Sequence, residues 1–330
     1  MSEKAKRIML TGGAGFIGSH LAEALLRGKV SLSIVDNLDD FYSAAWKKAN
    51  LEAIRRAGKF EFFEHDICDK DRMREAVARV QPDAIVHLAA RAGVRPSIEQ
   101  PELYEHVNVA GTLNLLELCR EFRVSKFIFG SSSSVYGASS RAPFSEEQFD
   151  LRPISPYAAT KLAGELFCHT YAHLYKFPVV CLRFFTVYGP RQRPDLAIHK
   201  FVARIEKGQP IPIFGDGETG RDYTYVDDIV SGVKAALDYE FPSGGVPFEI
   251  FNLGNSHPVK LGDLVRMLER ATGKQAIVQR ENMQQGDVPL TWADIAKAGR
   301  LLGYRPQTGL EEGLQKFVAW YRATDPSQRA

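Results

Sequence analysis

Three regularly spaced glycines follow the first apolar run of the chain, and they constrain its fold more than any other feature. Gly12, Gly15 and Gly18 let the backbone turn tightly from a strand into a helix, and they let a pyrophosphate approach the main chain closely. The free N–H groups at the amino end of that helix can then bind the phosphates. The pattern therefore predicts a dinucleotide site at this turn, in which Phe16 and Ile17 take part.

Strand and helix signals alternate through the first half of the chain, and this alternation predicts an α/β fold. The strands expected before residue 186 are 7–10, 31–35, 60–64, 84–88, 126–129 and 179–185. The helices expected between them are 15–27, 70–80, 107–122 and 157–175. Short apolar strands separated by helices are typical of a Rossmann-type doubly wound parallel sheet with helices on both faces.

The regular pattern ends at Phe185, after which prolines and the turn at residues 215–217 interrupt it. Further elements are expected at 227–237, 248–253, 261–272 and 310–321. We predict an NAD-binding Rossmann domain over residues 1–185, to which residues 228–256 return. Residues 186–227 and 257–330 are expected to form a smaller mixed α/β C-terminal substrate lobe.

The bulk composition argues against several classes of protein. The 330 residues carry a formal net charge of +2 without a long basic run, so we expect no nucleic-acid partner. Residues 1–7 lack the apolar region of a signal peptide and no run of about 18 apolar residues is present, so we expect no membrane span and a cytoplasmic protein. The cysteines, at positions 68, 119, 168 and 181, follow no metal-ligand or disulfide spacing, so we expect reduced thiols and no metal site.

An acidic residue follows the glycine turn where a dinucleotide site needs one. Asp36 closes the second expected strand, where its carboxylate can accept hydrogen bonds from the adenosine ribose and repels a 2′-phosphate. Because Asn37 rather than an arginine comes next, we predict NAD rather than NADP. Other residues expected to border the cofactor are Asp66, Ile67, Leu88, Ala89, Ala90 and Asn108. For Asn108, a helix cap and the ordering of the cofactor cleft are both open interpretations.

A tyrosine and a lysine in the expected helix 157–175 indicate a proton relay. Tyr157 and Lys161 are four residues apart, so their side chains share one face of the helix. An ammonium group beside a phenol lowers the pKa of the phenol from about 10, which favours acid–base chemistry near neutrality, and Lys161 can also hold the nicotinamide ribose. Ser132, in the serine run after the 126–129 strand, can hydrogen-bond a substrate oxygen, whereas Ser131 is open to interpretation as a turn residue. Together with the glycine turn, this set indicates redox chemistry on an alcohol or ketone.

In these motifs the chain resembles the extended short-chain dehydrogenase/reductase superfamily, whose members act on nucleotide-diphosphate sugars. The resemblance covers nearly the whole chain and rests on the glycine turn and on residues 87–90, 132–137, 157–161, 183–190 and 221–228. Within the superfamily, the chain is most similar to the UDP-glucuronate 4-epimerase subgroup. The marks of that subgroup are residues 92–97, the Ser-Ser-Ser-Val-Tyr-Gly run, residues 184–190 with Arg193-Pro194-Asp195 after them, and residues 286–289.

The resemblance implies an NAD-dependent enzyme with a UDP-sugar substrate and a closed redox cycle. In that cycle Tyr157 takes the proton of the C4 hydroxyl while the C4 hydride passes to NAD, and the 4-keto sugar is then reduced on its other face. A homodimer formed through helices 107–122 and 157–175 is expected on the same basis.

The resemblance also implies a set of substrate contacts. They are Arg95, Ser133, Ser134, Thr186, Arg193, Arg221 and Asp287. Arg193 is expected to bind the sugar carboxylate, and Thr186, Ser133 and Ser134 are further candidates for that contact. Arg191 is an alternative to Arg193, and Arg95 is open as a contact of the carboxylate or of the phosphates. Arg221 is expected at the diphosphate and Asp287 at the uridine-side ribose.

Departures from other subgroups weigh against the competing functions. Dehydratases of this superfamily typically carry an Asp-Glu pair before the Val-Tyr-Gly, and decarboxylases carry a Glu there, whereas this chain has Ser133-Ser134. Galactose epimerases usually have Asn in place of Thr186 and Arg in place of Gln284, and both differences count against UDP-galactose as the preferred substrate. The nearest alternative is a 4-epimerase of UDP-glucose or of N-acetylated UDP-hexoses. A non-catalytic dinucleotide sensor would not need the serine, tyrosine and lysine of the relay.

Overall fold

The computed structural model describes residues 5–138, 141–282 and 288–324. The strands within these ranges are β1 (Lys6–Thr11), β2 (Val30–Val35), β3 (Glu61–Phe63), β4 (Ala84–His87), β5 (Lys126–Ser132), β6 (Val179–Phe184), β7 (Thr186–Tyr188), β8 (Ile211–Phe214), β9 (Gly220–Tyr225), β10 (Phe248–Leu253), β11 (Pro258–Lys260) and β12 (Val278–Glu281). The α-helices are α1 (Phe16–Leu26), α2 (Ala44–Ala57), α3 (Lys70–Val80), α4 (Val94–Glu99), α5 (Pro101–Glu105), α6 (Gly111–Phe122), α7 (Pro156–Tyr175), α8 (Ala197–Glu206), α9 (Val226–Asp238), α10 (Leu261–Thr272), α11 (Ala296–Leu302) and α12 (Leu310–Ala323).

The main sheet has the topology that a dinucleotide site requires. Within the described ranges its seven strands are all parallel and lie in the order β3-β2-β1-β4-β5-β6-β10. The chain first runs outward from β1 to β3 and then returns to β4 on the other side of β1. Thr11 therefore lies between Val35 and His87, and the crevice at the carboxyl ends of these strands is where ligands bind in such sheets. The predicted doubly wound α/β fold is confirmed.

The central strands are apolar because helices cover both faces of the sheet. Successive side chains of a strand point to opposite faces, and they enter two different cores. Leu10 of β1 packs in the core that contains Leu21 of α1, whereas Met9 and Ile85 pack in the core that contains Leu115 of α6. These two layers hold the strand ends, and the residues that follow them, in fixed positions.

The remaining strands form two small sheets in a mixed α/β lobe. One has the order β11-β9-β7 and contains parallel and antiparallel pairs, and the other pairs β8 with β12. Strand β10 returns to the main sheet beside β6, as expected for residues 248–253. The position of the boundary between the two lobes stays a prediction. None of the described helices combines the length and the apolar character that crossing a membrane requires.

Several elements of the structure are not predicted from the sequence, and one helix starts differently from its prediction. Helix α2 is not predicted, because two of the positions that it buries, Lys47 and Asn50, are polar. The short helices α4 and α5 are also missed, and the expected helix 107–122 begins with a π-helical turn at His106–Ala110 before α6 continues it. The expected strand 126–129 extends to Ser132, so Ser131 is a buried strand residue rather than part of a turn.

Candidate active site

A cavity of about 860 Å³ lies across the carboxyl ends of the central strands and reaches the second lobe. The predicted site residues that line it are Gly12, Gly15, Phe16, Ile17, Gly18, Asp36, Asn37, Asp66, Ile67, Leu88, Ala89, Ala90, Arg95, Ser132, Ser133, Ser134, Tyr157, Lys161, Thr186, Arg193 and Arg221. Asn108 does not line it, and Asp287 lies outside the described residues. The structure thus brings the predicted cofactor, relay and substrate residues together around one space.

The glycine turn leaves no room for side chains where the chain passes closest to itself. Gly12 has a φ of +72°, and a Cβ on it would lie 2.6 Å from the backbone nitrogen of Ala89. A Cβ on Gly18 would lie 2.1 Å from the carbonyl oxygen of Gly12. Because α1 begins at Phe16, its amino end points its free N–H groups at the cavity. This cradle fits the pyrophosphate of a dinucleotide.

Asp36 is buried at the end of β2, and two backbone amides orient its carboxylate. Its Oδ2 accepts a hydrogen bond from the Ala14 N–H at 3.0 Å, and its Oδ1 accepts one from the Leu38 N–H at 2.9 Å. Burial raises the pKa of Asp36, and the ammonium of Lys47, 3.8 Å away, acts in the opposite direction. Each carboxylate oxygen keeps a further lone pair, so the group can still accept hydrogen bonds from a ribose.

Asn108 is buried inside a helical segment, where it hydrogen-bonds the loop after β4 and does not cap a helix. It sits inside the π-helical turn, where its Oδ1 accepts a hydrogen bond from the Arg91 N–H at 2.8 Å and its Nδ2 donates to the Arg91 carbonyl at 2.9 Å. The same Nδ2 donates to the Thr160 hydroxyl at 3.0 Å. One amide thereby connects the loop after β4 to α7, and the helix-cap interpretation is wrong.

The relay residues are placed by a well-capped helix. The Ser155 hydroxyl accepts a hydrogen bond from the Ala158 N–H at 3.2 Å, and Pro156 occupies the first helical position, so α7 begins just before Tyr157. Lys161 is buried, and its Nζ donates to the Gly130 carbonyl of β5 at 2.7 Å. Burial lowers the pKa of Lys161 to about 8.

The expected lowering of the Tyr157 pKa by Lys161 is wrong in this structure. Burial raises the pKa of Tyr157, and the groups that oppose burial are the Ser132 hydroxyl, through a hydrogen bond, and the Arg193 guanidinium, through its charge. Lys161 is not among the groups that act on the pKa of Tyr157, and its Nζ hydrogen-bonds the Gly130 carbonyl. Ser132 also donates to the Ser134 hydroxyl at 3.1 Å, where β5 passes into the 3-10 turn at Ser133–Tyr136.

The structure separates the three arginines proposed for the sugar carboxylate. Arg193 lines the cavity, and its Nε and Nη2 donate to the two oxygens of Asp195 at 2.9 and 2.7 Å. Arg95 also lines the cavity, with its guanidinium 4.8 Å from the centre of the Phe214 ring. Arg191 is turned away, because its Nη2 pairs with Glu23 of α1 at 2.7 Å. Thr186, the first residue of β7, and Arg221 of β9 also line the cavity.

A group of cavity residues around the loop between β2 and α2 is not predicted from the sequence. They are Asp39, Phe41, Tyr42, Lys47, Arg91 and Asp195. Two guanidinium groups lie near the Phe41 ring, that of Arg91 at 5.4 Å and that of Arg193 at 5.0 Å from the ring centre. Arg91 also pairs with Asp39 at 3.0 Å. No periodic signal marks these residues as a group, because they come from the loop before α2, from α2 itself, and from the segments after β4 and before α8.

The fold and this site together define the class of protein. The chain belongs to the extended short-chain dehydrogenases/reductases, in the family whose model is described as GDP-mannose 4,6 dehydratase and matches residues 9–317. It is 43% identical over 313 residues to a UDP-glucuronate 4-epimerase of Thermodesulfobacterium geofontis, which covers 94% of this chain and 95% of the relative. It is 44% identical to UDP-glucuronate 4-epimerase 4 of Arabidopsis thaliana, over 95% of this chain and 75% of that protein.

Solved structures give the same grouping. The UDP-glucuronic acid 4-epimerase of Bacillus cereus, crystallised with UDP-glucuronic acid and NAD, has a TM-score of 0.89 and 38% identity, over 96% of this chain and 99% of that chain. The UDP-glucose 4-epimerase of Thermotoga maritima, crystallised with UDP-glucose, has a TM-score of 0.88 and 34% identity over the same shares.

Proposed function

We propose that this chain is an NAD-dependent 4-epimerase that converts UDP-glucuronate into UDP-galacturonate through a transient 4-keto sugar. The observation that carries the proposal is that one cavity joins the glycine turn, the relay around Tyr157 and the arginines of the second lobe. The relatives at 43% and 44% identity, and the Bacillus cereus structure with UDP-glucuronic acid and NAD, support it.

NAD is the proposed cofactor, because the residues of the first lobe fit it. The turn at Gly12 and Gly18 and the amino end of α1 would hold the pyrophosphate, and the Asp36 carboxylate would hold the adenosine ribose. Bound NAD supplies the hydride acceptor of the first half-reaction and the hydride donor of the second. Lys161, buried beside Gly130, would hold the nicotinamide ribose.

Tyr157 is the proposed acid–base group. As a phenolate it takes the proton from the C4 hydroxyl, and as a phenol it returns a proton to the same oxygen when the C4 ketone is reduced on its other face. The Ser132 hydroxyl, which lines the same cavity, can donate to the substrate oxygen as its charge changes. Ser133 and Ser134 stand beside the relay in place of the acids that loss of water would require, so we propose that the 4-keto sugar is reduced again without elimination.

The proposed role of Arg193 is to hold the sugar carboxylate. A ketone at C4 is β to the C6 carboxylate, and such keto acids lose carbon dioxide when the C5–C6 bond aligns with the carbonyl π system. The Asp195 pair and the Phe41 ring fix the Arg193 guanidinium at the cavity wall. A fixed cation can keep the carboxylate out of that alignment while the sugar turns. Arg95 is the alternative candidate, and we place Arg221 at the diphosphate.

Relative activity on acidic and neutral sugars tests this assignment against its nearest alternative. We expect kcat/KM for UDP-glucuronate to exceed that for UDP-glucose and UDP-N-acetylglucosamine by at least about tenfold, the worth of one charge-assisted contact. A preference for either neutral sugar would contradict the assignment and favour the neutral-hexose epimerase.

Denaturing the purified protein should release NAD rather than NADP, because Asp36 repels a 2′-phosphate.

We further propose a homodimer in the cytoplasm. Leu166, Thr170 and Leu174 recur every four residues along α7 and form an exposed stripe, in which the leucines are 63% and 60% exposed. Exposed apolar side chains in such a row favour packing against a second helical surface of the same kind, which a second copy of the chain would supply.

The proposed cytoplasmic location is supported by the free cysteines, three of which are buried, because thiols stay reduced in that compartment. Fractionation of the source cells would test the location.

A further inference from the structure

A buried ion pair lies directly behind the proton relay, and the mechanism above does not use it. Glu165 of α7 and Arg183 of β6 are both almost fully buried, and they pair through two hydrogen bonds, Nε–Oε1 at 2.9 Å and Nη2–Oε2 at 2.7 Å. The Ser131 hydroxyl donates to the same Oε1 at 2.5 Å. Burying two charges costs desolvation energy, and apolar replacements of such pairs are often neutral or stabilising. Fold stability alone therefore gives a weak reason for this pair.

The pair sits at a specific position with respect to the relay. Tyr157, Lys161 and Glu165 follow one another at intervals of four residues along α7, so they share one face of the helix. That face meets the end of β5, where Lys161 contacts the Gly130 carbonyl and Glu165 contacts the next residue, Ser131. Glu165 thus fixes α7 to the strand one turn beyond Lys161.

Because α7 packs closely on β5, the position of the helix along the strand determines where Lys161 and Tyr157 lie. A Cβ on Gly164 would lie 2.4 Å from the Phe129 ring, so α7 rests almost directly on β5. The Lys161 ammonium lies 4.9 Å from the centre of the same ring. A shift of α7 along the strand would move Lys161 and Tyr157 together relative to the cavity.

Few titratable groups lie near Lys161, so its charge depends on a small number of neighbours. They are Glu165 and Cys168 on α7, His87 on β4 and Cys181 on β6. Burial lowers the pKa of His87 to about 3 and raises that of the Cys181 thiol well above its usual range, so both are neutral near pH 7. Burial also lowers the pKa of Lys161 to about 8, and the Glu165 charge is among the influences that act against burial. Lys161 forms no ion pair with any described residue.

We propose that Glu165, clamped by Arg183 and Ser131, is a positioning residue of the relay that sets the register of α7 and keeps the Lys161 ammonium charged under working conditions. This inference rests on the proposed function, since it assigns Glu165 a part in keeping Lys161, the proposed contact of the nicotinamide ribose, in its position and charge state. Glu165 does not line the cavity, so it acts through Lys161 and not on the substrate.

The pH dependence of kcat/KM in Glu165→Gln and in the double variant Glu165→Gln/Arg183→Gln tests the proposal. Without the carboxylate, the pKa of Lys161 should fall further, so the ammonium is lost at lower pH. We expect the alkaline limb to move down by about one pH unit, which is a further loss of about eightfold near pH 8.5 and little change near pH 6.5. The single variant leaves the Arg183 charge unpaired and should also lower Tm, whereas the double variant should recover most of the Tm and keep the shifted limb.

The double variant separates the two possible roles. If the pair served only stability, recovery of the Tm would return the limb to its wild-type position, and that result would overturn the proposal. Asp228→Asn is a matched control, because this buried carboxylate accepts hydrogen bonds from the Gln307 and Thr308 amides away from the cavity. It should lower the Tm without moving the limb, and a moved limb would count against the proposal.

The profile is measured on whichever UDP-sugar the wild type converts best. If wild-type protein prefers a neutral UDP-hexose, the proposed substrate is wrong, yet the expected shift still tests Glu165. The two failures are therefore distinguishable.

Discussion

Tyr157 is proposed to do its chemistry through a single hydroxyl, so removal of one oxygen tests its role. We predict that Tyr157→Phe lowers kcat by at least about 100-fold, in line with the usual worth of a positioned acid–base group. NAD should stay bound, because the glycine turn and Asp36 are unchanged. Turnover and the content of bound nucleotide are the measurements. Tyr171→Phe is the control on the same helix, since that hydroxyl bonds Glu117 outside the cavity, and near-normal kcat in Tyr157→Phe would contradict the assignment.

The substitution Arg193→Ala tests whether this arginine binds the carboxylate of the substrate. A charge-assisted pair in a partly desolvated cleft is worth about 1.5–3 kcal/mol, so Arg193→Ala should lose about ten- to a hundredfold in kcat/KM on UDP-glucuronate. UDP-glucose should be affected much less, and a pentose product should appear, because a loosened carboxylate can reach the decarboxylating alignment.

Arg191→Ala is the matched control for that experiment. Arg191 is two residues away, carries the same charge and pairs with Glu23 instead of lining the cavity, so its removal should leave the ratio between the two sugars unchanged. Equal losses of Arg193→Ala on both sugars would assign Arg193 to the diphosphate or to the fold, and Arg95 would become the better candidate.

At the scale of secondary structure, the turn between β1 and α1 depends on backbone contact. The missing Cβ of Gly18 faces the Gly12 carbonyl at 2.1 Å and the Gly13 Cα at 2.8 Å, and neither atom can move without distorting the turn. Gly18→Ala should therefore yield protein with a lower Tm and little bound NAD. Gly245→Ala, where a Cβ meets nothing within 4 Å, should leave both unchanged. Full NAD content in Gly18→Ala would show that the turn does not form the pyrophosphate site.

The same scale explains what the sequence predicts and what it does not. The main sheet is predictable because strands buried on both faces are apolar throughout, and α3 and α10 show a strong amphipathic pattern that marks their bounds. Helix α2 is not predictable in this way, because Lys47 is buried for its contact with Asp36, which depends on the tertiary fold.

The candidate site divides along the same line. Glycine spacing and the Tyr-Lys interval are local, so Gly12, Gly18, Tyr157 and Lys161 can be found in sequence. The contacts of the Phe41 ring with Arg91 and Arg193 join segments far apart in the chain, and no local pattern predicts them. The Ser131 hydroxyl, open to interpretation as part of a turn, contacts a carboxylate 34 positions away.

At the scale of the whole molecule, the proposed dimer has a direct test. Leu166→Glu/Leu174→Glu places two charges on the exposed stripe of α7 and should convert a dimer into monomers without changing the core, since both side chains are exposed. Light scattering after size exclusion gives the mass. Wild-type protein that runs at the mass of one chain would contradict the proposed dimer.

The central claim is that C4 is inverted by removal and return of the same hydride within one cavity. The most direct measurement is NMR of the wild-type protein with UDP-glucuronate that carries deuterium at C4. We predict UDP-galacturonate with the deuterium still at C4 and no exchange with solvent, because the relay moves only the hydroxyl proton and the hydride stays with the bound cofactor. A product that has lost the label to water, a pentose as the main product, or the absence of conversion would contradict the claim.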